Sequence, residues 1–327
     1  MNLIASSIAH PNIALVKYWG KSDWSRNLPA VGSISVTLSQ LETRTTVEVR
    51  RGLQSDRLYI NGNTVGPDQT RRMASFLDEI RRIAGTDLCC EVHSRNSFPT
   101  AAGLASSASG FAALTLAATR AFGLTLQPKE LSALARLGSG SAARSIYGGF
   151  VELPAGNDCN RDCAALQIEN ERFWPISILV AVTSENVKPI GSRDAMAITE
   201  IRSPFYGVWI EESQKDIMEM RTAIRRRDIE TVGTIAEHSA LKLHGMLMAA
   251  RPGILYWNQG TIGAIQEIIH LRESTIPVYF TIDAGPQVKA ICPKSYESIV
   301  AERLRATPGV EVVLRSAPGP AASLLET

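Results

Sequence analysis

The stretch of the sequence that most clearly suggests chemistry is FPTAAGLASSASG, residues 98–110. It is small, hydroxyl-rich and uncharged, and it precedes a helical pattern. A glycine-rich loop at a helix N-terminus presents unpaired N–H groups and the positive end of the helix dipole, so it can bind phosphate without the lysine of a GK[ST] ending. Capping and close packing by the same serines and glycines is the alternative, and from this run alone both stay open.

Two further segments carry cationic side chains. In PNIALVKYWGKSD, residues 11–23, Lys17 and Lys21 lie four positions apart, so on a helix they would share a face and converge on one anion. In GSGSAARS, Ser139 and Ser141 precede Arg144, whose planar guanidinium matches a carboxylate or a phosphate. Taken alone, each segment also fits a solvated surface helix.

The segment YFTIDAGP adds a carboxylate. Asp283 ends an apolar strand before a Gly-Pro turn, where it can act as a general base if a substrate hydroxyl lies within hydrogen-bond reach. An Asx-turn that only shapes the hairpin is the alternative. These residues act together only if the elements that carry them bring them to one place.

The order of the predicted elements changes halfway along the chain. The first half predicts strands at SISVTL and TRTTVEVR, an Asn-Gly hairpin in RLYINGNTV, and helices over about 68–84, after the glycine-serine run and from Pro128. From Ile176 the main elements follow the order β, α, β, β, α, β of a ferredoxin-like unit. The sequence therefore predicts an α+β protein with domains at 1–175 and 176–327.

Composition excludes several classes of protein. The 327 residues are 45% hydrophobic and 20% charged, as in ordinary globular proteins, and a formal net charge of +2 is too small to indicate a nucleic-acid track. The basic run Arg225 to Arg227 is predicted to be a solvated helix face. The five cysteines and five histidines lack metal-ligand spacing, and no stretch resembles a signal peptide or a membrane span. We therefore expect a cytoplasmic protein that binds neither nucleic acid nor membrane.

The four segments together resemble the diphosphomevalonate decarboxylase family of the GHMP kinase superfamily. The resemblance rests on PNIALVKYWGK, FPTAAGLASSASG, RLGSGSAARSIYGGF and FTIDAGP, in this order and spacing, and it covers nearly the whole chain. It implies the GHMP kinase fold: a ribosomal-protein-like N-terminal domain that binds ATP, a ferredoxin-like C-terminal domain, and an active site in the cleft between them. It also implies a homodimer and a reaction that uses ATP and Mg²⁺ to convert mevalonate diphosphate into isopentenyl diphosphate, ADP, phosphate and carbon dioxide.

Residue roles are implied by the same resemblance. Asp283 would serve the tertiary hydroxyl of the substrate as base or orienting group, Lys17 would keep Asp283 ionised, and Arg144 would grip the substrate carboxylate. Further substrate contacts are expected from Tyr18, Lys21, Ser139, Gly140, Ser141, Ser192, Arg193 and Met196. The nucleotide is expected to contact Ser94, Asn96, Ala101, Gly103, Leu104, Ala105, Ser106, Ser107 and Lys188. The sequence assigns no metal ligands.

Other activities stay open at this stage. A decarboxylase of mevalonate monophosphate is one, because GSRDAM has Gly191 and Ala195 where the family favours serine and glycine. A superfamily kinase that phosphorylates a similar alcohol and stops there is another. An RNA-contacting module is disfavoured by an aromatic content of only 6%, and a serine hydrolase by the lack of a G-x-S-x-G elbow.

Overall fold

The computed structural model describes residues 3–98, 106–157, 162–186 and 188–326. Its strands and helices are numbered along the chain. A six-stranded sheet forms the first layer, and its neighbouring strands are antiparallel except for β7 and β9. The strands of this sheet, in spatial order, are β16 (Ser323–Leu325), β1 (Ile4–Ala9), β6 (Thr43–Arg50), β9 (Cys89–Asn96), β7 (Arg57–Ile60) and β8 (Asn63–Thr64).

Local sequence explains two features of this sheet. In β6 alternate side chains are buried, as the alternation in TRTTVEVR predicts. Between β7 and β8, Asn61 and Gly62 both have positive φ, 52° and 83°, the left-handed pair that a two-residue type I′ turn requires. The predicted Asn-Gly hairpin is therefore confirmed.

Helices pack on the six-stranded sheet and bring the glycine-serine segments to its edge. Helices α1 (Pro67–Ala84) and α2 (Ser106–Ala121) contact the strands, and α3 (Pro128–Gly138) packs on both helices. A 3-10 helix, Gly140–Ile146, follows α3 through Ser139 and carries Arg144. The helices predicted from periodicity are thus confirmed for the residues that the structure describes.

The second sheet corrects one expectation about the N-terminal lysines. Its strands, in spatial order, are β11 (Leu166–Glu169), β10 (Phe150–Leu153), β5 (Ser33–Thr37) and β2 (Asn12–Val16). After β2 the chain forms a separate two-stranded hairpin of β3 (Lys21–Asp23) and β4 (Leu28–Pro29). The segment with Lys17 and Lys21 is therefore not helical, and the shared-helix-face argument is wrong. Every residue of β2 is buried, so its apolar run pairs with β5 as a covered strand instead of forming a helix.

The third sheet has the topology that the second half of the chain predicts. Its strands, in spatial order, are β13 (Tyr279–Ile282), β14 (Val288–Pro293), β12 (Ile176–Val182) and β15 (Val312–Ser316), with every neighbouring pair antiparallel. Its helices are α4 (Ser192–Arg202), α5 (Tyr206–Arg226), α6 (Ile229–Met248), α7 (Gln259–Glu273) and α8 (Glu297–Ala306), the last preceded by a 3-10 turn, Lys294–Tyr296. The α+β class and the ferredoxin-like strand order are confirmed.

The second and third sheets share one hydrophobic core. Leu15 and Ile34 from the second sheet pack in the same cluster as Ile178 from the third and Ile217 and Ala236 from α5 and α6. Strand β16 then returns to pair with β1 in the first sheet. The division at 175/176 stays a prediction. No helix within the described ranges is long and apolar enough to cross a membrane.

Candidate active site

A pocket of about 590 Å³ lies between strand β2, the turn after β13 and the helices that pack on the first sheet. Its walls come from the loop after β2, the first turn of α2, the 3-10 helix, the first turn of α4 and the turn after β13. The pocket brings together most of the predicted site residues, namely Lys17, Tyr18, Lys21, Ser106, Ser107, Ser139, Gly140, Ser141, Arg144, Lys188, Ser192, Arg193, Met196 and Asp283. Residues from both halves of the chain thus line one cavity.

Some predicted nucleotide contacts lie elsewhere. Ser94 and Asn96 sit on β9, where their side chains hydrogen-bond the Thr45 and Thr43 hydroxyls at 3.0 and 2.7 Å, and neither lines the main pocket. Asn96 lines a separate groove with Glu42, Arg44, Asn61, Arg95 and Ser97. Four other predicted nucleotide contacts lie outside the described residues, namely Ala101, Gly103, Leu104 and Ala105. Nucleotide binding by these residues stays a prediction.

The carboxylate of Asp283 is held between two lysines. Lys17 Nζ lies 2.7 Å from Oδ1 and Lys289 Nζ lies 3.2 Å from Oδ2. Both lysine side chains are only 2% exposed, whereas that of Asp283 is 25% exposed. Burial alone would raise the pKa of Asp283, but Lys17 and then Lys289 hold it well below its usual range. Asp283 is therefore a fixed anion that faces the cavity.

Lys17 experiences the opposite balance. Burial lowers its pKa to about 8, Asp283 opposes that shift, and Lys289 and Arg144 add to it. Its Nζ also donates to the Ala14 carbonyl at 2.8 Å. Lys17 thus carries a positive charge at neutral pH but is close to losing it.

His244 on α6 supports the turn that carries Asp283. Its Nε2 lies 3.1 Å from the Asp283 backbone carbonyl, and its ring packs against Tyr256 and Trp257. Burial lowers the pKa of His244 to about 4, so the ring is neutral and must carry its proton on Nε2 to donate to that oxygen. The sequence shows no metal-ligand spacing around His244 and gave no sign of this contact.

Arg144 is a buried cation with neutral partners. It is 2% exposed, and its guanidinium donates to Asn12 Oδ1 at 3.1 Å and to the Ser35 hydroxyl at 2.9 Å, with a further bond to Ser33. Burial lowers its pKa to about 10. The described residues provide no carboxylate in ion-pair contact with Arg144, and a buried charge without a counter-ion is costly. The geometry therefore suits an anionic ligand.

A second group of cations, which we call the mouth cluster, consists of Lys21, Arg72 and Arg193. Lys21 and Arg193 lie 4.9 and 5.9 Å from the Trp24 ring, and Arg72 donates to the Gly138 carbonyl at 2.8 Å. Burial, then Arg193 and Arg72, lower the pKa of Lys21 to about 8. Among the described residues no acidic side chain forms an ion pair with this cluster, which therefore also suits an anion.

Sequence reasoning missed Arg72, although helical periodicity contains a signal for it. Arg72 shares a face of α1 with the buried Phe76 and Ile80, four and eight positions later. Its neighbour Arg71 points outward, with a side chain that is 76% exposed. The period thus separates a pocket arginine from a surface one, but only once the helix is known to flank a cavity.

Polar groups without a strong internal partner line the space between Arg144 and the mouth cluster. The Tyr18 hydroxyl is buried and has no hydrogen-bond partner among the described residues, and burial raises its pKa to about 12. Gly140 lies so close to Tyr18 that an added Cβ would be 2.4 Å from this hydroxyl, so the position excludes a side chain. The Ser139 hydroxyl lies 3.2 Å from that of Ser141 and 3.4 Å from that of Ser107.

Two helix N-termini open on the same pocket. Ser106 and Ser107 begin α2, and Ser192 begins α4. Lys188 Nζ donates to the Ser192 hydroxyl at 2.8 Å and to the Ala284 carbonyl at 3.0 Å. Orphan N–H groups and helix dipoles at these two places favour phosphate groups.

A cation-lined cavity between α+β halves, with helix N-termini at its wall, defines a GHMP-kinase-like protein that handles phosphorylated small molecules. Residues 9–165 match the diphosphomevalonate decarboxylase-like N-terminal domain, and residues 178–312 match the mevalonate 5-diphosphate decarboxylase C-terminal domain. The chain belongs to the diphosphomevalonate decarboxylase family. The family predicted from the four segments is therefore confirmed.

Similar proteins cover almost the whole chain. A diphosphomevalonate decarboxylase of Schizosaccharomyces pombe is 38% identical over 296 residues, which is 84% of this chain and 75% of the relative. A phosphomevalonate decarboxylase of Haloferax volcanii is 33% identical over 324 residues, 99% and 98% of the two chains. A solved structure described as MDDEF in complex with MVAPP, AMPPCP and magnesium has a TM-score of 0.93 at 37% identity and covers 99% of both chains.

Proposed function

We propose that this protein uses ATP to decarboxylate mevalonate diphosphate to isopentenyl diphosphate. The observation that carries the proposal is one cavity in which Asp283, held by two buried lysines, lies near the charge of the buried Arg144. The substrate has a tertiary hydroxyl, a carboxylate and a diphosphate. The cavity offers a fixed anion for the first, a buried guanidinium for the second and a cation cluster for the third.

Each part of the substrate has a distinct partner in this proposal. Arg144 binds the carboxylate with two parallel N–H bonds, because a guanidinium fork matches a carboxylate. The mouth cluster, with Tyr18 and the serine hydroxyls, binds the diphosphate. Asp283 accepts a hydrogen bond from the tertiary hydroxyl. Positioning of this kind is the main source of acceleration in phosphoryl transfer.

The pocket fits ATP and Mg²⁺ on the side of α2. The N-terminus of α2 and Lys188 provide N–H groups and a positive charge for phosphates. Ala101, Gly103, Leu104 and Ala105, which lie outside the described residues, stay predicted contacts. The Ser106 and Ser107 hydroxyls at the N-terminus of α2, together with phosphate oxygens, would hold the ion. When bound, Mg²⁺ neutralises phosphate charge.

The reaction balances in two steps. The hydroxyl oxygen bonds to the γ-phosphorus of ATP as the bond to ADP breaks, and its proton, which was hydrogen-bonded to Asp283, is released to solvent. The carbon–oxygen bond then breaks with its electron pair going to phosphate, while the carbon–carbon bond to the carboxylate supplies the pair of the new double bond. Lys17 steadies the transferred phosphoryl group. Arg144 keeps the carboxylate in the plane from which carbon dioxide can leave.

An assay of product release tests the proposal. Purified protein is given ATP and Mg²⁺ with mevalonate diphosphate, mevalonate monophosphate or free mevalonate, and ADP and carbon dioxide are measured together. We expect equal amounts of both products, with the highest kcat/KM for the diphosphate. ADP without carbon dioxide would indicate a kinase, and a higher kcat/KM for the monophosphate would place the chain with the activity named for its Haloferax volcanii relative.

Arg72 allows a direct test of diphosphate binding. Arg72→Met should raise KM for mevalonate diphosphate about 10- to 100-fold, because a charge-assisted bond to phosphate is worth about 1.5–3 kcal/mol. Arg71→Met on the same helix is the matched control, since Arg71 is solvent-exposed and its ion pair among the described residues is with the exposed Asp68. An equal, small effect of both substitutions on KM would place the diphosphate elsewhere.

The pH dependence of kcat/KM gives a second test. Lys17 and Lys21 both have a pKa of about 8, so raising the pH through 8 removes two cations from the free protein, and kcat/KM should fall. Bound phosphates favour the charged lysines, so the limb in kcat should lie at higher pH. Lys21→Met should make the kcat/KM limb less steep. A wild-type profile that stays flat to pH 9.5 would contradict this assignment.

We also propose that the protein is a cytoplasmic homodimer. Family membership supports both statements. Light scattering coupled to size exclusion measures the mass directly, and twice the chain mass of 35.5 kDa is expected. A monomer at micromolar concentration would overturn the dimer proposal.

A further inference from the structure

We propose that Lys289 is a positioning residue, which together with Lys17 fixes the Asp283 carboxylate in one orientation by placing one ammonium on each oxygen. The inference rests on the proposed function, because it concerns how Asp283 meets the substrate hydroxyl. It assigns a role to a side chain that does not line the cavity.

The location of Lys289 is unusual for a lysine. It lies on β14 among Val288, Ala290 and Ile291, and it is 1% exposed. In the hairpin it pairs with Thr281, two residues before Asp283 on β13. Its Nζ contacts Asp283 Oδ2 at 3.2 Å and the Gln287 carbonyl at 3.3 Å. Burying a lysine ammonium costs free energy unless the charge is paired, and here the ion pair with Asp283 offsets that cost.

The two lysines differ in what they can reach. Lys17 lines the cavity and contacts Oδ1, whereas Lys289 lies behind Asp283 and contacts Oδ2. A ligand phosphate in the cavity competes with Asp283 for the Lys17 ammonium, but it does not reach Lys289. If Lys17 were the only partner, the carboxylate would be free to rotate whenever Lys17 turned to phosphate. Lys289 therefore holds Asp283 in place while Lys17 serves the transferred group.

The charges around Lys289 predict how the site responds to its removal. The groups that face it are Asp283 and Lys17, with His244, Lys188 and Arg144 nearby. After burial and Asp283, Lys289 is the next influence on the pKa of Lys17, and it lowers that pKa. Without Lys289 the pKa of Lys17 should rise, and the depressed pKa of Asp283 should rise as well. The Lys17 part of the alkaline limb therefore moves to higher pH.

The experiment compares Lys289→Met with Lys289→Arg and the wild type, each measured with ATP, Mg²⁺ and mevalonate diphosphate. For Lys289→Met we expect kcat to fall about 10- to 100-fold. KM for both substrates should stay within about threefold, because Lys289 touches neither. The Lys17 part of the alkaline limb of kcat/KM should move up by about one pH unit, so the limb should be less steep near pH 8, where Lys21 still loses its proton. Lys289→Arg keeps the charge and should retain the wild-type limb, whatever its kcat.

A matched control comes from another lysine–carboxylate pair. Lys242 on α6 pairs with Asp216 on α5 at 2.7 Å, and neither residue lines the cavity. Lys242→Met should leave kcat and the pH limb unchanged. If Lys289→Met does not fold, Lys289→Arg decides the matter: a limb or a KM that departs from the wild type overturns the proposal.

The outcomes separate this inference from the proposed function. Wild-type protein that releases no carbon dioxide would remove the proposed function itself. Active wild-type protein with an unaltered Lys289→Met profile would overturn the role of Lys289 alone. If Lys289→Met raises KM, or lowers kcat without changing the alkaline limb of kcat/KM, then Lys289 only supports the fold.

Discussion

Asp283→Asn is expected to lower kcat about 1000-fold while the affinity for a non-hydrolysable ATP analogue stays within about threefold. The substitution keeps the shape of the side chain but removes its negative charge. That charge lies between Lys17 and Lys289 and orients the substrate hydroxyl. A tertiary alcohol is a hindered nucleophile, so its placement should contribute more than base strength, particularly for an acid whose pKa is depressed. Single-turnover release of ADP and carbon dioxide measures the loss, and equilibrium titration measures nucleotide affinity.

The same substitution leaves two buried ammonium groups without their anion. Removing one partner of a buried pair lowers the free energy of unfolding, here by as much as about 3 kcal/mol. Thermal unfolding must therefore be compared at the assay temperature. Asp216→Asn breaks the Lys242 pair outside the cavity and is the matched control for an acid lost from an ion pair. Carbon dioxide release within tenfold of wild type in folded Asp283→Asn would contradict the role of Asp283.

The fold could be predicted where local sequence and burial agree. The alternation in TRTTVEVR and the Asn61–Gly62 turn each specify a structure without help from distant residues. For the segment that contains Lys17 the helix considered from the sequence was wrong, because a spacing of four residues between Lys17 and Lys21 suggests one face of a helix. The competing signal was the apolar run of β2, which is buried by α5, α6 and the neighbouring β5. Burial of both faces therefore makes this segment a strand, although the spacing of its lysines is that of a helix.

The site could be predicted less directly than the fold. Asp283, Lys17 and Arg144 were each ambiguous alone, and they were united by family resemblance before any distance was known. The structure brings them into one cavity. Lys289 and Arg72 were missed for a physical reason: a single cation in a strand or a helix is normally a surface residue. Only the pairing of β14 with β13, and the position of α1 beside the cavity, distinguish them.

Arg144→Lys is expected to reduce kcat/KM for mevalonate diphosphate about 100-fold, because one ammonium cannot make the two parallel bonds of a guanidinium and loses the support of Asn12 and Ser35. Arg221→Lys is the matched control, since Arg221 makes a two-bond contact with Glu152 outside the cavity, at 2.9 and 2.7 Å.

A substrate analogue with an amide in place of the carboxylate makes the Arg144 test specific. The wild type should bind this analogue much more weakly than mevalonate diphosphate, whereas Arg144→Lys should discriminate far less between the two ligands. For each protein the affinity for mevalonate diphosphate is divided by the affinity for the analogue. The quotient of the two results gives the coupling free energy between Arg144 and the carboxylate. If the ratios are equal, Arg144 does not contact the carboxylate, and its buried charge must instead serve the phosphates that share the cavity.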